Sequence, residues 1–245
     1  VIKRNTADDY ASATALYTNA ANALSYNDTS ATPGQRYYYW VTATNLGGST
    51  ASASDSGYRR LAPPANLAAT DGTSTDDVTV TWDAATGASS YHLYRDTDSN
   101  PTGATALGPQ SSGYADVPPS PGQIYYYWVL ASNSTSSSTS DWSTANSGYR
   151  KLTAPGSVAA TENLSDRVTV TWGNVAGETG FGIWRHTADV SGSATCIGSV
   201  AADVLTYDDV TAAAGQTYYY SIPATHSTSA SMSASSLSHT DTKTL

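Results

Sequence analysis

The sequence predicts an all-β protein built from β-sandwiches in tandem, and three observations lead to this fold class. A turn followed by an aromatic run, Pro-Gly-Gln-Ile-Tyr-Tyr-Tyr-Trp-Val, occupies 121–129 and recurs at 33–41 and, in weaker form, at 214–222. Short stretches of alternating apolar and polar residues lie between turns at a spacing of about 8–12 residues, which is typical of sandwiches. Only 13% of the residues are charged, and the abundant Ser, Thr and aromatic residues favour strands over helices.

The second repeat, 62–152, shows the strand pattern most clearly. Its proline-rich start at 62–67 suits an edge strand, and the next strand, 78–82, directs Val78, Val80 and Trp82 inward. Tyr91 and Leu93 face inward from the strand after that. The remaining predicted strands are short ones near 106–107 and 114, a long one at 125–131 and a closing one at 142–152.

The third repeat, 153–245, is complete but divergent. Val-Thr-Val-Thr-Trp at 168–172 repeats the pentad of the second repeat residue for residue, and Phe181 and Ile183 replace Tyr91 and Leu93. The inward positions of the two complete repeats predict the core residues. These are Trp82, Trp172, Tyr125, Tyr218, Tyr91, Leu93, Phe181 and Ile183.

The first repeat, 1–61, is incomplete. Its residues 2–6 align with 93–97, so it starts in the middle of a third strand and lacks its first two strands. Such a sandwich exposes both its core and its sheet edges, which natural proteins avoid. Two explanations stay open: the sequence is a piece of a longer chain, which we favour, or a neighbouring molecule supplies the strands by strand addition.

These marks together resemble the fibronectin type III family of immunoglobulin-like sandwiches. The matching features are the Pro near the start of a repeat, the inward Trp82 and Trp172, and the Pro-Gly-x-x-Tyr turn that leads to Tyr37 and Tyr125. Tyr218 is the divergent third example. The resemblance implies that each of these tyrosines forms a tyrosine corner, its hydroxyl bonded to nearby backbone. The extra aromatics that follow are similar to repeats of secreted or surface multi-module bacterial proteins.

The connections between repeats predict their arrangement. The stretches 58–63 and 149–155 are short and carry Pro, unlike flexible Gly/Ser tethers. We therefore expect tandem immunoglobulin-like (fibronectin type III) sandwiches arranged as beads on a semi-rigid rod.

Charge and cysteine content exclude several classes of function. The net charge of −9 argues against nucleic acid and anionic membranes as partners, because both select basic surfaces. Cys196 is the only cysteine, so an internal disulfide and a cysteine-based zinc site are both excluded. No stretch is long and apolar enough to span a bilayer. Acidity with few lysines favours an extracellular or cell-surface location.

No residue set has the pattern of an active site, so we predict no catalytic, cofactor-binding or metal site and no enzyme activity. The four histidines lack metal-ligand spacing and suit surface positions. Glu162 and Glu178, the only glutamates, fall in turns without counterparts in the other repeats. The stretch 96–100 alternates oxygen-bearing side chains as calcium loops do, but Pro101 stands where those loops need Gly. A solvated Asx turn is the favoured interpretation.

Aromatic residues on the outward sheet face are the candidate contact surface. Since Tyr125 and Tyr127 face inward, alternation directs their neighbours outward. Exposed aromatic clusters often bind sugar rings or proteins, but cross-strand pairing alone also stabilises a sheet. We favour the structural role, because Ser221 replaces Trp in the third repeat. The outward set comprises Tyr38, Trp40, Tyr94, Tyr126, Trp128 and Trp184.

The sequence therefore predicts a non-catalytic extracellular structural, spacer or adhesive segment of a longer multi-repeat surface or secreted protein. Two alternatives stay open: carbohydrate-binding accessory modules of a secreted polysaccharide-degrading enzyme, or a subunit segment of a self-assembling extracellular filament. The expected partners are neighbouring repeats of the chain, other copies of it, and surface glycans or proteins. Nucleic acid and membrane insertion are not expected.

Overall fold

A computed structural model describes residues 1–162, 164–188, 194–234 and 239–242, and all regular elements in these ranges are β-strands. The strands form antiparallel sheets in three successive groups. We use the predicted ranges 1–61, 62–152 and 153–245 as the names repeat 1, repeat 2 and repeat 3. The all-β fold class predicted from the sequence is confirmed.

Repeat 2 is a two-layered sandwich. One sheet has the order β10-β7-β6, and the other has the order β12-β11-β8-β9 with β13 also paired to β11. The strands predicted before the closing one are all present, and β7 starts at the predicted Val78. The strands are β6 (Ala65–Ala69), β7 (Val78–Asp83), β8 (Ser90–Asp96), β9 (Thr105–Pro109), β10 (Tyr114–Asp116), β11 (Tyr125–Asn133), β12 (Ser138–Thr139) and β13 (Asn146–Gly148).

Repeat 3 has the same two layers within the residues that the structure describes. Its sheets have the orders β14-β15-β18 and β21-β20-β16-β19-β22, with β17 paired to β16. The strands are β14 (Ala159–Ala160), β15 (Val168–Thr171), β16 (Gly180–His186), β17 (Thr195–Ala201), β18 (Thr206–Asp209), β19 (Thr217–Ser221), β20 (Ala224–His226), β21 (Ser231–Met232) and β22 (His239–Thr242).

Repeat 1, all of which the structure describes, consists of a single sheet. Its order is β2-β1-β3-β4, with β5 also paired to β3. Ile2 pairs with Val41 as Leu93 pairs with Val129, so the alignment of the first strand predicted from the sequence is confirmed. The strands are β1 (Ile2–Asn5), β2 (Thr14–Tyr17), β3 (Arg36–Asn45), β4 (Gly48–Ala51) and β5 (Asp55–Tyr58).

All three repeats share a β-bulge at the same place. The register shifts by one residue where β1, β8 and β16 meet the strands that follow them, β2, β9 and β17. The extra residue is Leu16, Leu107 or Ile197, and the last two pack against the cores of their repeats. Because a bulge lets an additional side chain turn toward one face, the sheets of repeats 2 and 3 each gain an apolar contact at this position.

The predicted core is confirmed in both sandwiches. Trp82 lies against Tyr91 with ring centroids 5.9 Å apart, and Trp172 lies against Phe181 at 5.6 Å, in the same tilted geometry. The buried cluster of repeat 2 consists of Val78, Val80, Trp82, Leu93, Tyr125, Tyr127 and Val129. The corresponding cluster of repeat 3 includes Val168, Val170, Trp172, Phe181, Ile183, Tyr218, Tyr220 and Ile222.

The closing strand predicted at 142–152 is wrong in its extent, because only the short β13 lies in this range and another short strand, β12, lies before it. Between them two serine hydroxyls take the place of ladder carbonyls. The Ser140 hydroxyl accepts from the amide of Ala131 at 2.9 Å, and the Ser143 hydroxyl accepts from that of Val129 at 3.0 Å. These bonds satisfy the edge of β11 while the chain departs from regular pairing.

Candidate functional site: the joints between repeats

The outward aromatic surface is less accessible than the sequence suggests. Trp40 and Trp128 lie on the face away from the core, yet only 5% and 2% of their surfaces are exposed. The other four predicted residues, Tyr38, Tyr94, Tyr126 and Trp184, are half-buried. The expectation of exposed tryptophans is therefore corrected: alternation gives the direction of a side chain but not what covers it.

Neighbouring aromatic rings account for part of this covering. The ring of Tyr10 stands edge-on to Trp40 with centroids 6.0 Å apart, and Tyr126 stacks on Trp128 at 6.4 Å. Tyr94 makes an edge contact with Trp142 at 4.7 Å. Because stacking on a sugar needs a free ring face, these mutual contacts fit a structural role better than a binding platform.

A buried triad of Arg, Asp and Tyr recurs in every repeat, and sequence reasoning missed it. In repeat 2 the guanidinium of Arg95 donates to both carboxylate oxygens of Asp116 at 2.8 Å, and the hydroxyl of Tyr127 donates to the same carboxylate at 2.8 Å. Asp116 is almost fully buried. The corresponding triads are Arg185–Asp209–Tyr220 in repeat 3 and Arg4–Asp28–Tyr39 in repeat 1.

The triads shift the ionisation of their members. Burial and the adjacent carboxylates raise the pKa of Tyr127 and of Tyr220 above the ordinary tyrosine value. In repeat 1 burial and Asp28 raise the pKa of Tyr39 to about 12. Although burial opposes it, hydrogen bonds from Ser30, Arg4 and Tyr39 lower the pKa of Asp28 to about 2. The triad tyrosines therefore keep their protons, and so remain hydrogen-bond donors, across the physiological range.

The first joint, 58–63, connects repeats 1 and 2 through direct backbone contact. The amide of Gly34 donates to the carbonyl of Arg59 at 2.8 Å, which fixes the Pro-Gly turn to the end of its own repeat. A Cβ on Gly87 of repeat 2 would lie 1.8 Å from the carbonyl oxygen of Pro33. Leu61 is buried beside both glycines, and its side chain fills the remaining space.

Side chains of repeat 2 complete the first joint. The amide group of Asn133 donates to the carbonyl of Gly87 at 2.6 Å, and its nitrogen lies 3.0 Å from where a Cβ on Gly34 would stand. Arg60 forms a bidentate ion pair with Asp141, with distances of 2.6 and 2.9 Å. This ion pair is exposed, so it contributes little energy and mainly orients the two repeats.

The second joint, 149–155, repeats this construction with the equivalent residues of repeats 2 and 3. The amide of Gly122 donates to the carbonyl of Arg150 at 2.8 Å. A Cβ on Gly177 would lie 2.4 Å from the carbonyl oxygen of Pro121, just as a Cβ on Gly87 would clash with the carbonyl oxygen of Pro33. Leu152, like Leu61, is buried, and its side chain joins the core of repeat 3.

The two joints differ in one buried side chain. Where the first joint has Asn133, the second has His226, which contacts Gly122: a Cβ on that glycine would lie 2.8 Å from the imidazole Cγ. His226 is only 8% exposed, so its predicted surface position is wrong. Burial lowers the pKa of His226 below the ordinary value of 6.5. His226 is therefore part of a packed contact between repeats 2 and 3.

Comparison with solved structures gives the fold of the repeats. A segment of two fibronectin type III domains from chicken tenascin matches with a TM-score of 0.55 and 15% identity, covering 73% of this chain and 98% of that one. The chain has the fibronectin type III fold. The FN1–FN3 domains of chicken CNTN1 align with a TM-score of 0.36 and 18% identity over 87% of this chain and 76% of that one. Family models and curated proteins give no match.

The tyrosine corners implied by the fibronectin type III resemblance are present in repeats 2 and 3. The amide of Ser120 donates to the hydroxyl of Tyr125 at 3.3 Å, and the amide of Ala213 donates to that of Tyr218 at 3.2 Å. Both bonds link a tyrosine to the backbone five residues upstream. They anchor the turn that carries the joint glycine in repeat 2, so corner and joint share one element.

The remaining candidate positions have structural roles. The carboxylate of Asp98 accepts from the amide of Asn100 at 2.7 Å, which confirms the Asx turn predicted for the loop at 96–100. Among the described residues, no group of three or more His, Cys, Asp or Glu side chains is placed to hold a metal ion. The same part of the chain contains no helix with the length and apolarity of a membrane span.

Proposed function

We propose that this chain is a non-catalytic structural, spacer or adhesive segment of a longer extracellular or cell-surface protein, in which the joints hold successive repeats in one fixed orientation. The observation that carries this proposal is that both joints use the same contact. In each, a Pro-Gly turn of one repeat meets a glycine turn of the next at a distance that excludes any side chain.

Glycine at these places serves the joint as well as the turn. Gly34, Gly122 and Gly215 occupy the same turn of their repeats with φ of 74°, 76° and 71°. A Cβ on Gly34 or Gly122 would meet atoms of the next repeat within 3.0 Å, whereas a Cβ on Gly215 would meet nothing within 4 Å. Gly215→Ala therefore introduces the strain of a left-handed backbone but no clash with a neighbouring repeat, which makes it the control for Gly34→Ala and Gly122→Ala.

Distances between spin labels test the fixed orientation. Cys196 of repeat 3 is exposed and takes one label, and Thr50→Cys, on exposed β4 of repeat 1, takes the other. The proposal expects one narrow distance distribution that Gly34→Ala and Gly122→Ala broaden and Gly215→Ala leaves narrow. A broad distribution in the unsubstituted joints would show that the repeats swing freely and would refute the proposal.

A second function, a subunit of a self-assembling filament, is supported by the open inner face of repeat 1. Val41 aligns with the fully buried Val129 but is 59% exposed, and an apolar groove of about 450 Å³ lies between it, Ile2 and Leu24. In repeat 2 the equivalent face is covered by β7 with Val78, Val80 and Trp82. A strand with that alternating pattern, from another copy, would complete repeat 1.

Light scattering at increasing protein concentration tests the filament function. Assembly through this face predicts that particle size rises with concentration, that Val41→Lys abolishes the rise and that Val117→Lys does not. Val117 is similarly exposed, at 63%, but belongs to the complete repeat 2. A particle of constant monomer size would exclude the filament function while leaving the spacer function intact.

A further inference from the structure

We propose that the second joint opens when His226 gains a proton, so that mild acid loosens the connection between repeats 2 and 3 while the first joint stays closed. This inference rests on the proposed role of the joints and adds a regulation to one of them. It starts from the difference between His226 and Asn133, which occupy equivalent places at the two joints.

The two side chains make the same local hydrogen bond with different chemistry. The Asn133 carbonyl oxygen accepts from the amide of Thr135 at 2.9 Å, and Nδ1 of His226 accepts from the amide of Thr228 at 3.2 Å. An imidazole nitrogen can accept only while it carries no proton. Protonation of Nδ1 therefore breaks the bond that orients the ring, and no pH change affects the asparagine in that way.

Protonation also places a charge in a closed contact. His226 packs directly on Gly122, and water reaches only a small part of it. A buried charge without a partner is unfavourable, whereas separation of the repeats lets water solvate the imidazolium. The charged histidine therefore favours the open joint.

The surrounding charges do not compensate for this proton. The Pro121–Gly122 turn has no titratable side chain, and strands β16 and β21 contribute no acidic or basic residue where they flank β20. The end of repeat 2 contributes the positive Arg150 and Lys151. The loop of repeat 3 beside Gly177 contributes Glu178, whose carboxylate already accepts from the amide of Asp203 at 3.0 Å. Neither Arg150 nor Lys151 can pair with a positive imidazolium.

The direction of the pH response follows from linkage. The imidazole has a lower pKa in the closed joint than its ordinary value of 6.5, which it regains when the joint opens. The contribution of His226 to closure is therefore fully present above pH 6.5 and is lost as pH falls toward the depressed pKa. Within that window the ratio of open to closed joints rises about tenfold per pH unit.

Label distances across each joint separate this inference from the proposed function. Cys196 with Thr81→Cys, on an exposed position of β7, reports on the second joint. Thr50→Cys with Thr81→Cys, in a Cys196→Ser background, reports on the first. We expect both distributions to be narrow at pH 8, and only that of the second joint to broaden at pH 5. His226→Asn, which copies the first joint, should remove the broadening.

Each other outcome overturns a defined part of the reasoning. Broad distributions at pH 8 refute the fixed joints themselves. Narrow distributions at both pH values, or broadening that persists in His226→Asn, refute the pH response alone. Equal broadening of both joints at pH 5 assigns the effect to general acid destabilisation and also refutes it. If His226→Asn alters the circular dichroism at pH 8, His226→Gln serves as the second variant, with the same expected loss of pH response.

Discussion

Removal of one hydroxyl from a buried triad is the sharpest test of how each repeat is stabilised. Tyr127→Phe keeps the aromatic ring in the core of repeat 2 and deletes only the hydroxyl that donates to Asp116 at 2.8 Å. The residue is fully buried, so water cannot replace the lost donor. Tyr126→Phe, one residue earlier on the outward face, is the matched control.

The magnitude follows from the charge on the acceptor. A hydrogen bond to a charged group contributes about 1.5–3 kcal/mol to stability, roughly twice the value for a neutral pair. Asp116 keeps its two bonds from Arg95 in the variant, so we expect a loss of about 2 kcal/mol. Asp116→Ala should cost more, about 3–5 kcal/mol, because it leaves a guanidinium and a hydroxyl without their partner.

Hydrogen exchange measured on the intact chain gives the local free energy of each repeat, which a single melting temperature of a multi-domain protein does not. We expect Tyr127→Phe to speed exchange in β11 and β8 by the equivalent of about 2 kcal/mol, with repeat 3 unchanged as internal reference. If Tyr127→Phe and Tyr126→Phe have the same small effect, the triad does not stabilise the sandwich and the reasoning is refuted.

Two further predictions concern the core and the ionisation of the triads. Trp82→Ala should destabilise repeat 2 by about 3–5 kcal/mol, whereas Trp142→Ala, at an exposed position, should cost less than about 1 kcal/mol; local hydrogen exchange compares them. The triad of repeat 1 should stabilise its sheet fully only between a lower and an upper pH limit. The contribution from Asp28 is lost as pH falls from 3.8 toward about 2, and that from Tyr39 is lost as pH rises from 10 toward about 12. The difference in tyrosine absorbance between the protein and Tyr39→Phe should show Tyr39 ionising near pH 12; ionisation at the ordinary value of 10 would contradict this.

Strand positions could be predicted because their determinants are local. Pro-Gly turns and strict alternation placed β7, β8 and β11 and assigned Val78, Leu93 and Tyr125 to the core. The bulge beside Leu93 could not be predicted in this way, because it depends on the register in which two strands pair.

The triads left a signal in the sequence that alternation alone does not detect. In each repeat a Tyr-x-Asp triplet, at 26–28, 114–116 and 207–209, is followed by the triad tyrosine eleven residues after the aspartate. Position 95 is inward by the same alternation that places Leu93, and an inward arginine requires a buried partner. Repeat spacing combined with this requirement would have identified Asp116.

The joints could not be predicted because their contacts depend on two repeats at once. The sequence explains Gly34, Gly122 and Gly215 equally well as turn residues, since all three have left-handed φ values. Only the structure separates the first two, which the next repeat contacts, from the third. His226 was assigned to the surface for the same reason: within repeat 3 alone it lies at the end of a strand, and its contact with Gly122 of repeat 2 is visible only in the structure.

The burial of the joint leucines has a consequence for how the repeats unfold. Leu152 ends the predicted range of repeat 2, yet its side chain packs in the core of repeat 3, and Gly122 and His226 close the contact from both sides. A joint made of core residues couples its neighbours, since neither repeat can unfold without exposing part of the contact. Leu152→Ala should therefore speed hydrogen exchange in β15 and β16 by the equivalent of about 2–5 kcal/mol and also reduce protection of the 121–122 turn in repeat 2. Loss of protection in repeat 3 alone would show that the repeats are linked in sequence but independent in stability.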